Sequence, residues 1–269
     1  MDFETIIMKK EEQIATITLN RPDRKNAINL QMFKDLATAI EDVGKEEETR
    51  VLVITGAGKG FCSGADIDAV SVESLVPEQV TVEDMRRASA FEFGHKIIMG
   101  LHRMEKPTIA MINGACVGAG FDMALACDMR TGSVEYTKFL CGFVKLGLYP
   151  GFGAAWLYPR MMGLSKAFEM LFTGDAINGE EAHRLGILNQ VVPADKLEET
   201  TYGLASKIAK GPPLAIRLMK AQVLKGLQSD LQTALDSAAL CEAITMTSLD
   251  FKEALGARFG TGEPNFQGR

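Results

Sequence analysis

Apolar and small polar residues alternate along Ile14-Ala15-Thr16-Ile17-Thr18-Leu19, which predicts a half-buried strand. Asn20-Arg21-Pro22-Asp23 closes it with turn-forming residues. From Asn29 to Val43 the apolar positions Met32, Phe33, Leu36, Ile40 and Val43 follow one helix face. Val51-Leu52-Val53-Ile54 is apolar without interruption, the pattern of a strand covered on both sides. Residues 71–90 are acidic and polar with one proline and read as a mobile, partly helical insert. Ala88 to Met104 predicts a helix that Pro107 stops. Thr108 to Ile112 reads as a second buried strand, and Phe121 to Cys127 as a short helix. From about Leu164 the chain turns helical, over Lys166–Phe172, Gly179–Leu185, Ala194–Lys210 and Leu214 to about Thr247, with Pro212-Pro213 as a divider. No repeat recurs at a fixed period. The expectation is an α/β fold, with an α/β core over 1–195 and a helical C-terminal region over 196–269.

Composition narrows the function. Lys plus Arg number 29 and Asp plus Glu 35, a net charge of −6, which argues against a nucleic-acid partner. No apolar run reaches the roughly 18 residues of a membrane span. Met1-Asp2-Phe3-Glu4 lacks the basic and apolar stretches of a secretory signal. Cys62, Cys116, Cys127, Cys141 and Cys241 are an odd set without metal-ligand spacing, so reduced thiols and a cytoplasmic chain are expected, with no metal site.

Two segments share a design in which an apolar strand runs into a Gly-rich turn with a helix beyond. They are 51–54 into 60–66 and 108–112 into 113–121. Amides at such turns lack an internal acceptor. A pair of them would form an oxyanion hole, each donor contributing on the order of 3 kcal/mol. Taken singly, either turn reads as a tight connection; neither has GxGxxG or Walker A spacing.

In combination the motifs are more specific. Asn20-Arg21-Pro22, Asn26-Ala27, Val53-Ile54-Thr55-Gly56 and Phe61-Cys62-Ser63-Gly64-Ala65-Asp66 occur in that order. Lys106-Pro107-Thr108-Ile109-Ala110, Asn113-Gly114, Gly118-Ala119-Gly120 and Ala124-Leu125-Ala126-Cys127-Asp128 follow, and then Leu171-Phe172-Thr173-Gly174-Asp175. Across the chain these resemble the crotonase (enoyl-CoA hydratase/isomerase) superfamily. The resemblance implies a spiral of ββα units with a C-terminal helical trimerisation region, assembled as homotrimers or hexamers. It implies an acyl-CoA thioester as substrate, with coenzyme A part of the substrate and no separate cofactor. The amides of Ala65 and Ala119 would hold the thioester oxygen, and Lys25, Ala27, Asp66, Ile67 and Gly118 would line the substrate.

The family's hydratases hold water between two glutamates. The first position is Asp122 here and the second is Phe143, while the aspartate that some isomerases carry after the position of Pro150 is Gly151. Asp122 is therefore the leading acid/base, although a carboxylate in a first helical turn also serves the dipole for roughly 0.3–1 kcal/mol. An apolar pocket would raise its pKa and the helix N-terminus lower it. His95 matches a histidine of the dehalogenase-like branch, and equally suits a helix surface. Phe143 and Tyr149 read as walls for the acyl group, which suits a cyclic or aromatic-derived chain. The expected reaction is hydration of an enoyl-CoA or the reverse dehydration. A double-bond isomerase or hydrolase, or a non-catalytic acyl-CoA-binding paralogue, is the alternative.

Overall fold

The computed structural model describes residues 2–66, 81–87, 89–260 and 262–269, with the backbone alone for 85–87 and 89. The 71–90 insert therefore lies largely outside the described residues; within it the helices α2 (Val82–Arg87) and the start of α3 (Ser89–Arg103) are seen.

The chain opens with an antiparallel hairpin of β1 (Ile6–Glu11) and β2 (Ile14–Leu19). From β2 the sheet continues in parallel through β3 (Val51–Gly56), β5 (Thr108–Ile112), β7 (Met129–Ser133) and β10 (Gln190–Val192). The strands between these go to a second, smaller sheet. There β4 (Gly60–Cys62), β6 (Ala115–Val117) and β8 (Lys138–Leu140) run parallel, and β9 (Ile177–Asn178) pairs antiparallel with β8. Each turn of the spiral thus gives one strand to the large sheet and the next to the small one.

The helices cover both faces of the large sheet. Asn29 caps α1 (Leu30–Lys45), its Oδ1 accepting the Met32 amide at 2.9 Å. The buried stripe of α1 includes Met32, Phe33, Leu36, Ile40 and Val43, the residues its spacing predicts, and it packs on α3. The main core joins these helices to α4 (Ala119–Ala126) and α5 (Ala154–Thr173). On the opposite face Val51, Val53 and Ile109 meet Leu197, Ala205 and Ala209 of α7 (Leu197–Ala209). So the first helix after residue 196 is a layer of the core. Between α5 and α7 lies the short α6 (Gly179–Arg184).

Three helical boundaries differ from the sequence pattern. The helix expected over 166–172 is the second half of α5, whose backbone leaves the helical region at Gly163. The helix expected over 214–247 is two, α8 (Pro213–Gly226) and α9 (Leu231–Thr247), because Asp230 starts a new one by accepting the Thr233 amide at 2.9 Å. A further helix, α10 (Leu249–Phe259), follows Ser248, which caps it through the Phe251 amide. No helix among the described residues is long and apolar enough to cross a membrane.

Candidate active site

Three parallel strands of the small sheet end side by side. Cys62 pairs with Cys116, and Val117 with Leu140, so the segments 63–66, 118–122 and 141–143 leave the sheet as neighbours. A Cβ at Gly120 would stand 2.6 Å from the Cys62 Cβ and 2.7 Å from its sulfur. Glycine therefore lets α4 seat directly on the end of β4. A Cβ at Gly64 would stand 3.1 Å from the Val117 carbonyl oxygen and 4.0 Å from the Ala119 nitrogen. The two glycine turns adjoin. Gly118, at φ 52° and ψ −120°, makes the bend from β6 into the helix.

Both expected amides are unpaired among the described residues. Ile28 donates to Gly64 O at 2.8 Å and accepts from Asp66 N at 3.0 Å. That bridge uses the groups on either side of Ala65 and turns the Ala65 N–H to the other side of the strand. Ala119 is the first residue of α4, where an N–H has no intrahelical acceptor. The far end of α4 is neutralised by Arg130, which donates to the carbonyls of Cys127 at 2.7 Å and Ile187 at 2.5 Å. A cation there leaves the positive N-terminal end of the dipole facing the site.

Asp122 lies in the first turn of α4 and is 0% exposed. Neither carboxylate oxygen has a hydrogen-bond partner. Burial pushes the pKa up to about 7 from its ordinary 3.8, against an opposing influence from the Tyr158 hydroxyl. Of the two effects foreseen for this residue, desolvation by burial is the one seen, and it raises the pKa. The carboxyl is thus poised to give or take a proton near neutrality. Around it the thiols are inert. Burial takes Cys62 up to about 12 and raises Cys116 and Cys141 as well.

The segment 21–28 is held against the first glycine turn. The buried Asn26 donates to Ala57 O and Gly60 O, both at 2.9 Å, and accepts from Arg21 N at 3.0 Å. From the next strand Asn113 donates to Gly56 O at 2.8 Å and Gly58 O at 3.0 Å. Ala27 is buried, and Lys25 stands exposed beside it. The Asp66 carboxylate is buried and engaged with Arg21 at 2.7 Å, an ion pair whose guanidinium also reaches Ala27 O. Its side chain is thus a brace for the turn. Ile67 lies outside the described residues.

The other expected residues divide. Phe143 abuts the bend, its Cζ 3.4 Å from where a Gly118 Cβ would sit. Tyr149 is 75% exposed in this chain, although Cys141, Phe143 and Phe152 on either side of it pack in or against the core. His95 is exposed on α3, its Nε2–H donating to Gly151 O at 3.0 Å, with Phe91 and Phe152 against its ring. It meets the position where isomerases carry an aspartate, but no bond or ring contact joins it to Asp122. Phe152 is itself buried, stacked on Phe33 and Phe91 at 5.6 and 5.5 Å. Tyr158 of α5 is the residue that sequence patterning passes over. A tyrosine within an apolar helical stretch signals only packing.

Comparison with known proteins agrees with this geometry. The enoyl-CoA hydratase/isomerase family matches residues 9–269. The crotonyl-CoA hydratase of Syntrophomonas wolfei is 34% identical over 270 residues, covering 99% of both chains. The 1,2-epoxyphenylacetyl-CoA isomerase of Escherichia coli is 32% identical over 267 residues, covering 99% of this chain and 100% of the relative. Among solved structures, the enoyl-CoA hydratase of Bacillus anthracis superposes with a TM-score of 0.90 at 30% identity, covering 99% of this chain and 100% of that one. A spiral of paired strands and helices, two adjoining glycine turns and relatives matched from end to end have one explanation: the chain belongs to the enoyl-CoA hydratase/isomerase family and is an acyl-CoA-processing enzyme of that crotonase-like fold.

Proposed function

We propose that the protein adds water reversibly across the conjugated double bond of an enoyl-CoA, with Asp122 as the one acid/base. The observation that carries this reading is a wholly buried, unpartnered carboxylate with a pKa near 7, three residues into a helix whose first amide is unpaired. In the forward direction ionised Asp122 takes a proton from water as the water oxygen bonds to Cβ. The π electrons move through Cα to the thioester oxygen, where the amides of Ala65 and Ala119 hold the enolate. Asp122 then returns the proton to Cα. The net addition is H and OH, and the carboxylate is regenerated. Phe143 beside Gly118 supports an apolar wall for the acyl group, compatible with a cyclic or aromatic-derived chain. Lys25 and the 65–67 backbone would receive the CoA portion, with Tyr149 and His95 at the acyl side.

The competing reading is a double-bond isomerase, favoured by Phe143 standing where hydratases have a second acid. One proton-transfer group suffices for such a shift. In this proposal residues 1–195 carry the acyl-CoA site and 196–269 the surface of a homotrimer or hexamer. Free cysteines that are mostly buried suit a reducing, cytoplasmic setting.

A panel of linear and cyclic 2-enoyl- and 3-enoyl-CoAs, followed at the ultraviolet band of the conjugated thioester, tests the reading. Hydration removes the band from 2-enoyl substrates, whereas isomerisation creates it from 3-enoyl ones. Release of free CoA thiol instead marks a hydrolase. Tight acyl-CoA binding without turnover on any member would overturn the enzymatic assignment.

A further inference from the structure

We propose that Tyr158 is a positioning residue of this site, its hydroxyl on α5 acting through the Asp122 carboxylate on α4. Among the described residues only four buried side-chain polar atoms lack a hydrogen-bond partner; three are the two Asp122 oxygens and the Tyr158 hydroxyl. Both side chains are 0% exposed. Unsatisfied buried polar groups are rare in folded proteins, and these three belong to two helices that pack together, with Tyr158 against Phe121, the chain neighbour of Asp122. The ring is held in place by Phe121 at 4.9 Å, itself packed on Phe139 at 4.7 Å. A phenylalanine would fill the same space without stranding a hydroxyl in the core.

The titratable groups that feel the Asp122 charge come from three elements: Tyr158 from α5, Cys116 from β6 and Cys141 from the bend after β8. None is a cation. Thiols are weak donors, so the phenol is the strong donor available to the carboxylate. The hydroxyl works against the effect of burial on the acid, while burial first, and then Asp122 and Cys141, hold the phenol protonated. Tyr158 thereby supplies a second polar group beside the acid where Phe143 has removed the usual one. This rests on the reading of Asp122 as the acid/base.

The test is Tyr158→Phe, with thermal unfolding to establish its fold. The Asp122 carboxyl carbon is titrated by NMR in protein labelled with 13C-aspartate, with Asp122→Asn for assignment, and kcat/KM is profiled against pH. The expected result is a titration midpoint raised by about one unit, with the acid limb of the profile moving alongside it and kcat/KM at pH 7 falling about fivefold. A merely structural tyrosine would lower activity and leave both midpoints in place. Substituting 3-fluorotyrosine at position 158, a stronger donor of nearly the same shape, should move the midpoint down; this arm stands even where the phenylalanine variant fails to fold. Midpoints unmoved by either change overturn the proposal. Turnover in the wild type with a titration indifferent to Tyr158 removes the pairing and keeps the hydratase reading. A wild type inert on the panel, with the titration still answering to Tyr158, does the reverse.

Discussion

Two apolar helices of this chain have opposite surroundings. All eight residues of α4 are buried, whereas no residue of α9 is, and Leu231, Leu235, Leu240 and Ile244 stand exposed on it. A helix apolar on every side belongs in an interior. The interior around α4 is built by its own chain: β4 beneath Gly120, Phe139 and Tyr158 around Phe121, and Arg130 at its end. Among the described residues, the helices packed most closely beside α9 are α8 and α10. Beyond α7, polar contacts tie the C-terminal helices to the core. Lys220 reaches Asp128 at 2.7 Å and Lys106 O at 3.1 Å, and Arg50 reaches Ala209 O and Phe266 O. A cleft of about 460 Å³ remains under α8. Within the described residues α4 is enclosed by its own chain, whereas the apolar residues of α9 are left bare, which is the surface the proposed homotrimer or hexamer would cover.

Substitution at α4 tests the first half of that contrast most severely. Asp122→Asn is expected to lower turnover by roughly 10²–10⁴-fold in steady-state assays, with acyl-CoA affinity retained. The same change should stabilise the fold at high pH. Because the folded pKa lies above the unfolded one, the native state keeps its proton between about pH 4 and pH 7 when the unfolded chain has lost it. Wild-type stability then falls as pH rises through that window, by roughly 4 kcal/mol for three pKa units. The asparagine variant lacks this slope, which denaturant unfolding at several pH values would read. Parallel curves for the two proteins would contradict a buried, ionising Asp122.

Ala119→Pro removes one amide donor at a position where proline suits the helix. Turnover is expected to drop by about 10²–10³-fold with α4 preserved by circular dichroism; full activity in a folded variant would remove Ala119 from the oxyanion site. Smaller again is Lys220→Ala, which leaves Asp128 with Thr108 alone and should cost roughly 1.5–3 kcal/mol in thermal or denaturant unfolding. Leu235→Glu on α9 should alter the subunit's own stability by less than about 1 kcal/mol. Sedimentation velocity should nevertheless show smaller species, whereas an unchanged distribution would separate α9 from assembly.

Legibility in the sequence followed signal length. β2, β3 and the buried stripe of α1 stand where the pattern puts them, because six or more patterned residues, or a wholly apolar run, leave little choice, although β2 is buried on both faces where alternation predicted one. The small sheet escaped, since β4, β6 and β8 have three residues each, too few to carry a period. The spiral is a repeat in space whose units differ in length, which is why no fixed interval betrays it. At the site, Ala65, Ala119 and Asp122 are expectations that the family resemblance attaches to short motifs, the two glycine turns and a first-turn acid, which spacing alone would leave as tight connections and a dipole partner. Tyr158 was not among them, because only the packing of α5 on α4 brings it to that helix. The exposure of Tyr149 and the bond from His95 to Gly151 O likewise depend on how a loop settles on α3, which spacing does not encode.

In the proposed reaction the grip on the thioester oxygen would consist of peptide groups at strand ends, set by register and by glycines wedged against Cys62 and Val117. Ordinary side-chain exchange at Ala65 or Ala119 leaves such a device its N–H groups. The acids are single replaceable side chains, as Phe143 and Gly151 illustrate. A scaffold divided in this way can drift from one reaction to another while continuing to recognise the same kind of carbonyl, so the identity of the reaction is written in its most changeable letters.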